Sequence, residues 1–294
     1  MKHEQASGRS GPRWTRLAGL IVGSAAVAAG AGSQLLRGSD ERQAEDARRE
    51  LTARTGSQPK RFSLDMLDGL PEPAQRYLRF AIRPGTPLRT TALIEMIGRF
   101  GLGDSSKHSY YPMRARQILV PPLGFVWVPK IGSGLMRMSG SDALVDERAW
   151  TRFWLLGAVP LVRAADTPDL TRSAVGRMVG EALWTPAALL PGNGMRWEAA
   201  DTNVARAMFM IRGEEHRVDI RVAPDGRPLE VVVRRWSNVN PEKAFRWQPS
   251  GATIEAVGTF GGFTVPTRLS GGNHFGTPDY FPFYQAEVTK VAYS

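Results

Sequence analysis

From Thr90 onward the chain consists of two long blocks of period-two alternation, with a single helical segment, residues 168–190, between them. Alternation of apolar and polar side chains is a strand signature, and the Gly, Pro, Asp and Ser residues between the runs are turn signals. TALIEMIGRFGL, MRARQILV, GFVWVPKI, LMRMSGS and AWTRFWLLGAVPLVRA make about five strands before the helix. The stretch from MRWEA through PLEVVVRRW to FYQAEVTKV makes about five or six after it. Strand and helix never alternate, which argues against a parallel α/β fold. The expected class is mainly β with α (α+β). Its expected form is a single strongly curved antiparallel sheet, or incomplete barrel, of about ten to eleven strands packed around the central helix.

That helix has an unusual mixture of residues. Thr167 is placed to cap it, Pro168 suits its first turn and Asp169 sits near its positive end. At about 100° per residue, Leu170, Ala174, Val175, Met178, Val179, Ala182 and Leu183 cover more than half of its circumference. Asp169, Ser173, Gly176 and Gly180 form a narrow strip of short side chains, bordered by Arg177 and Glu181. A helix this apolar is buried widely, and its glycines admit another backbone closely. Each interior glycine costs about 1 kcal/mol against alanine, a cost that close packing can offset. Arg177 and Glu181 stand four residues apart, and a buried charge needs a partner. Three roles are open to them: a structural ion pair closing one end of the cup, the polar lining of a ligand cavity, or, for Glu181 or Ser173, catalysis.

The N-terminus is of a different kind. Lys2, Arg9, Arg13 and Arg16 precede LAGLIVGSAAVAAGAGSQLL, an uncharged stretch from Leu17 to Leu36. A basic flank before an apolar run is an export signal whose basic end stays cytoplasmic. Ala26-Val27-Ala28 and Ala29-Gly30-Ala31 each fit a small-x-small cleavage site, while a run of about twenty residues is also long enough to span a bilayer. The expected organisation is a signal peptide or membrane anchor over 1–38, a charged linker with a frayed helix over 39–61, and a curved antiparallel β domain over 62–294 that opens with a short amphipathic helix, Leu70 to Ile82. Such a chain ends at the extracytoplasmic face of the cell membrane, anchored or secreted.

Composition removes several chemistries. With 294 residues and 42% hydrophobic content there is ample material for a packed core. The net charge of +10 favours anionic surfaces, but the excess is scattered and no nucleic-acid motif is present, so no nucleic-acid partner is expected. The absence of cysteine excludes disulfides, thiolate catalysis and thiolate metal sites. The four histidines, His3, His108, His216 and His274, form no HExxH and no close pair, so neither a metal nor a cofactor is expected. GxSxG, GxxxxGK[ST] and GxGxxG are all missing. A hydrolase would have to assemble Ser173 as nucleophile and His274 as base, with Glu181 or Asp169 orienting it, and only spatial convergence could support that. Phe125 with Trp127, and Trp150 with Trp154, share strand faces in pairs suited to a core. The residues singled out as ligand-lining are Trp127, Trp154, Ser173, Arg177, Glu181, Trp184 and His274; none is assigned a catalytic role.

Leu70-Pro71 with Gln75-Arg76-Tyr77-Leu78, Gly124-Phe125-Val126-Trp127, Arg172-Ser173-Ala174 with Gly176-Arg177 and Glu181, Phe260-Gly261-Gly262 with Pro266, and His274-Phe275-Gly276 follow one another in an order that resembles a bacterial family known as a domain of unknown function. The resemblance runs from about Leu70 to the C-terminus. It implies an open, curved β-barrel similar to the lipoprotein-carrier (LolA/LppX-like) folds, which hold acyl chains in an apolar cup. It brings no established activity and no catalytic residues. The function expected is therefore an exported or membrane-anchored binding module for a lipid or other hydrophobic ligand. An envelope hydrolase and a structural or partner-binding envelope protein are the alternatives.

Overall fold

The computed structural model describes residues 13–54, 59–191 and 194–294, with side chains from residue 32 onward. Of the segment 1–38, read as a signal or anchor, residues 1–12 lie outside the described residues and 13–31 are described in their backbone alone. Among those described, no helix is long and apolar enough to cross a membrane.

One antiparallel sheet of thirteen strands dominates the molecule, more than the ten to eleven expected. The first meander holds β1 (Ala92–Gly103), β2 (His108–Val120), β3 (Gly124–Ile131), β4 (Met138–Val145), β5 (Arg148–Leu155) and β6 (Val159–Ala165). The second holds β7 (Met195–Asp201), β8 (Val204–Ile211), β9 (Glu214–Val222), β10 (Pro228–Ser237), β11 (Arg246–Phe260), β12 (Phe263–Asn273) and β13 (Phe281–Tyr293). The run AWTRFWLLGAVPLVRA is two strands rather than one. Its turn hides in an apolar stretch, with Leu156 and Gly157 at φ 52° and 70°, and positive φ at a leucine is no sequence signal for a turn. The second block contains seven strands because every alternating run in it, short β7 included, pairs separately.

The two meanders join through their outermost members in sequence: β1 pairs with β13, Ala92 opposite Tyr293. The free edges of the sheet are consequently β6 and β7. The chain passes from one edge to the other through α3 (Pro168–Gly180) and two short 3₁₀ turns, Ala182–Trp184 and Pro186–Leu189. The single helix read over 168–190 thus ends at Gly180, and Pro186, which cannot donate into a helical ladder, opens the second turn. Thr167 Oγ1 accepts from Leu170 N at 3.2 Å and caps α3. α3 packs against β3, β4 and β5 of one meander and β9 and β10 of the other. A sheet that touches one helix with strands so far apart in its order must curl around it, and the large apolar cluster holds Phe125, Trp127, Met178, Trp184, Val218 and Val265 from all sides of that curl.

The small-residue strip of α3 meets β10. A methyl group added at Gly176 would lie 3.3 Å from Arg235 Cγ and 3.5 Å from its Cα, and one at Gly180 3.3 Å from Val233 Cγ1. At the N-terminal end of the strip, Asp169 accepts from Trp236 Nε1 at 2.7 Å. α2 (Glu72–Ala81) buries Ala74, Tyr77, Leu78 and Ala81 in the same core and packs on β7, β8, β9 and β12.

The convex face carries a third helix where a linker was expected. α1 (Arg13–Ala53) continues without a break through the charged segment and packs on β2, β3 and β4. Ala44, Ala47 and Leu51, spaced along one helical face, join Ile118, Val120, Val126, Ala143, Val145 and Trp150 in a separate apolar cluster. Asp40, one turn before Ala44, is buried between Arg163 (Nη2 at 2.8 Å), Arg152 (Nη1 at 3.1 Å) and Trp154 Nε1 at 3.1 Å. A stripe of two alanines, one leucine and one aspartate is apolar enough to dock, yet in the sequence it is masked by the Arg and Glu residues around it.

Candidate functional site

Side chains directly opposite each other on paired strands share a face. Gln117 on β2 is opposite Trp127 on β3, Trp127 opposite Asp142 on β4, and Asp142 opposite Thr151 on β5. These four therefore form one row across the sheet, on the concave side where α3 lies. Arg177 and Glu181 project from α3 into this row. Arg177 Nε donates to Glu181 Oε1 at 2.7 Å, and its Nη1 donates to Asp142 Oδ2. Gln117 Nε2 closes the other Glu181 oxygen at 2.6 Å, and Thr151 Oγ1 donates to Asp142 Oδ1 at 2.7 Å. The guanidinium carbon lies 4.6 Å from the centre of the Phe125 ring and 4.9 Å from that of Trp127. Burial works against this charged guanidinium, but Glu181 and Asp142 more than offset it and hold its pKa above the ordinary arginine value.

Beside this network lies a cavity of 320 Å³ between α3 and the curled sheet. One wall is aromatic: Trp127 stands 6.1 Å from Phe100, 6.3 Å from Phe153 and 6.1 Å from Tyr284, ring centre to ring centre. Aliphatic side chains of β10, β11 and β12, among them Val231, Val233, Ile254 and Leu269, line the opposite wall. Trp184 closes part of it, with its Nε1 donating to Pro266 O at 2.9 Å and its own carbonyl accepting from Tyr293 Oη at 3.0 Å. Arg235 of β10 completes the polar part of the lining. Its Nε donates to Ser173 O at 3.2 Å. Burial pushes its pKa below the usual arginine range; Asp142 opposes that shift, Arg177 adds to it and Glu181 opposes it.

Of the residues singled out in the sequence, Trp127, Arg177, Glu181 and Trp184 line this cavity, and Trp154, Ser173 and His274 do not. Trp154 lies on the opposite face of the sheet, against Asp40 of α1. Ser173 is buried on α3. His274 sits in an exposed turn at φ 59°, its Nε2 2.7 Å from Val239 O. No hydrogen bond links Ser173 to His274 among the described residues, and Asp169 is engaged by Trp236, so the hydrolase arrangement is not assembled. Nor, among the described residues, does any group of three His, Asp or Glu side chains suit a metal ion.

Gln117, Asp142, Phe153, Arg235 and Tyr284 escaped the sequence reading. Arg235 had a usable signal: in VVVRRW it falls two and four residues after Val233 and Val231, and so on the same strand face. A larger groove of 880 Å³ runs along α1 on the outer face, but Arg37, Glu41, Glu45, Arg48, Glu95 and Lys290 are among its walls. Its charged lining fits the seam between an amphipathic helix and a sheet.

Solved structures similar to this chain include the following three. A candidate outer membrane lipoprotein-sorting protein domain from Vibrio parahaemolyticus has 10% identity and a TM-score of 0.37, covering 78% of this chain and 91% of that one. A LolA superfamily protein from Nitrosomonas europaea has 13% identity and a TM-score of 0.38, covering 76% and 90%. A DUF1329 family protein from Desulfovibrio piger has 10% identity and a TM-score of 0.30, covering 70% and 86%. No curated protein matches the sequence. The model of one family of unknown function, DUF6544, matches residues 60–286, and the chain belongs to that family.

Proposed function

We propose that the chain is a binding module that holds a hydrophobic ligand of the lipid or acyl type in the cavity between α3 and the sheet, at the extracytoplasmic face of the cell membrane. The observation that carries this reading is the cavity itself. Its 320 Å³ falls within the range of about 300–1,000 Å³ of small-molecule sites, and it combines aromatic and aliphatic walls with a few fixed polar groups.

The membrane-proximal part of the reading rests on the export signal and on an exposed apolar cluster. Leu35 and Leu36 of α1 are exposed, as are Leu135, Leu156, Val159 and Leu161 of the first meander. Gln34 Nε2 and Arg37 Nη1 both donate to Gly157 O, at 3.1 and 3.3 Å, and Leu156 N donates to Arg137 O at 2.8 Å, so these residues gather around one end of the sheet. It is the end where the apolar run of α1 arrives. Exposed apolar groups so grouped suit a membrane surface.

Full-length protein extracted in mild detergent, then unfolded and analysed for lipid by mass spectrometry, should release an acyl-chain compound in near-stoichiometric amount. Val231→Trp, which fills the cavity from β10, should release little. Equal recovery from both proteins would assign the lipid to the surface and overturn the reading.

A further inference from the structure

The two arginines of the cavity differ in one respect that bears on its ligand. Arg177 is saturated: Glu181, Asp142 and Gln117 take its nitrogens, and Phe125 and Trp127 flank it. Arg235, among the described residues, makes one hydrogen bond, from Nε to Ser173 O, and no carboxylate lies within ion-pair distance of it. A guanidinium offers five N–H donors in a planar fork, so both terminal nitrogens of Arg235 are left for another partner. Trp127, in the facing wall, also has its indole Nε1 buried with no acceptor. Buried donors are normally paired, because an unmet one keeps its full desolvation cost. Of these donors Trp127 Nε1 is the buried one without an acceptor, and the terminal nitrogens of Arg235 stand unpaired in the lining of the same cavity.

Arg235 is also held in place. Its Nε is tied to the α3 backbone, and its Cγ rests where a side chain at residue 176 would be, over Gly176. That leaves the edge of the fork carrying Nη1 and Nη2, which matches two oxygens of a carboxylate or phosphate. The carboxylates nearby do not compete for an incoming head. Glu181 is already occupied by Arg177 and Gln117, and Asp142 by Arg177 and Thr151.

We propose that Arg235 is the docking point for the anionic head of an amphiphile whose apolar tail fills the Trp127–Trp184 cavity. The inference rests on the hydrophobic-ligand reading above and adds the chemistry of the head to it. Its competitor is a structural one: Arg235 as a longer-range counter-charge to Asp142 and Glu181, whose two carboxylates outnumber Arg177.

The test compares three probes with the same tail, oleate, oleyl phosphate and oleyl alcohol, titrated into delipidated full-length protein and followed by quenching of tryptophan fluorescence. Oleate and oleyl phosphate should bind about tenfold or more tighter than the alcohol. In Arg235→Gln that preference should collapse toward equality while oleyl alcohol affinity stays within about twofold of the wild type, since the tail contacts remain. If none of the three binds, the hydrophobic-ligand reading itself fails. If all three bind the wild type equally, or the anions keep their advantage in Arg235→Gln, the cavity holds a ligand but Arg235 does not read its head. Should Arg235→Gln fail to fold, Arg235→Lys decides: an ammonium cannot hold both oxygens in a fork, so the anion preference should fall several-fold, and an unchanged ratio overturns the proposal.

Discussion

Arg177 and Glu181, one turn apart on α3, meet at 2.7 Å inside the curl of the sheet, with only 13% and 18% of their side-chain surface exposed. The pair is not closed on itself, because Arg177 also serves Asp142. Arg177→Met therefore strands two buried carboxylates, and breaking such a pair costs about 3–5 kcal/mol. Adding Glu181→Leu should recover part of this loss, and adding Asp142→Asn should recover most of the rest. Thermal melts of the single, double and triple variants check the order; a single variant as stable as the wild type would show the network to be solvated.

Leu51 anchors α1 to the convex face and is fully buried there. Leu51→Ala should destabilise the docked helix by about 2–5 kcal/mol, and because α1 lies outside the curl, hydrogen exchange should rise in α1 before it rises in β3 or β4. Uniform acceleration across the sheet would instead make α1 part of a single cooperative unit with the sheet.

His216 on β9 is buried beside Trp247, at 6.2 Å between ring centres, and burial depresses its pKa below the ordinary histidine value. Glu214 opposes the shift and Arg172 adds to it. The unfolded chain then binds the proton more readily than the folded one, so the stability linked to this residue is complete above the ordinary histidine pKa and declines as pH falls through it. His216→Leu should flatten the dependence of the melting temperature between roughly pH 7 and pH 5. A slope equal to that of the wild type would place the titration elsewhere.

At the far end of α1, Arg54 donates to both oxygens of Asp146 in the β4–β5 turn at 2.6 Å. The hydrogen bonds from Arg54 hold the Asp146 carboxyl below its usual range. A carboxylate with a depressed folded pKa contributes stability above its unfolded value and loses it as pH falls through the folded one. Acidification below the ordinary carboxylate range should thus loosen the C-terminal turns of α1 selectively. Asp146→Asn should show the same looseness at neutral pH, read as faster amide exchange over residues 48–54.

Much of the architecture is legible in the sequence because alternation in strands is a property of each residue and its second neighbour. The capped start of α3, its glycine strip and the pairing distance of Arg177 and Glu181 are local in the same sense. The site is legible only in part. Gln117, Asp142 and Thr151 come together through strand register, and register depends on partners that adjacent residues do not reveal. Trp154 misled for a related reason: its parity allies it with Trp150, but parity alone does not say which face is concave. The β5–β6 turn stayed hidden because the first of its two positive-φ positions is occupied by Leu156, and its glycine, Gly157, stands inside an apolar run.

The pairing of β1 with β13 has a consequence for how the polypeptide is made. The strand that opens the domain and the strand that closes it sit side by side in the middle of the sheet. A nascent chain can form its first meander from neighbours alone, yet β1 keeps a raw hydrogen-bonding edge until the final segment emerges. Such an edge, with an apolar face next to it, invites pairing with other copies. Assembly is therefore gated by the arrival of β13, and until then the growing chain carries an unpaired β1 edge that a holding chaperone has reason to cover.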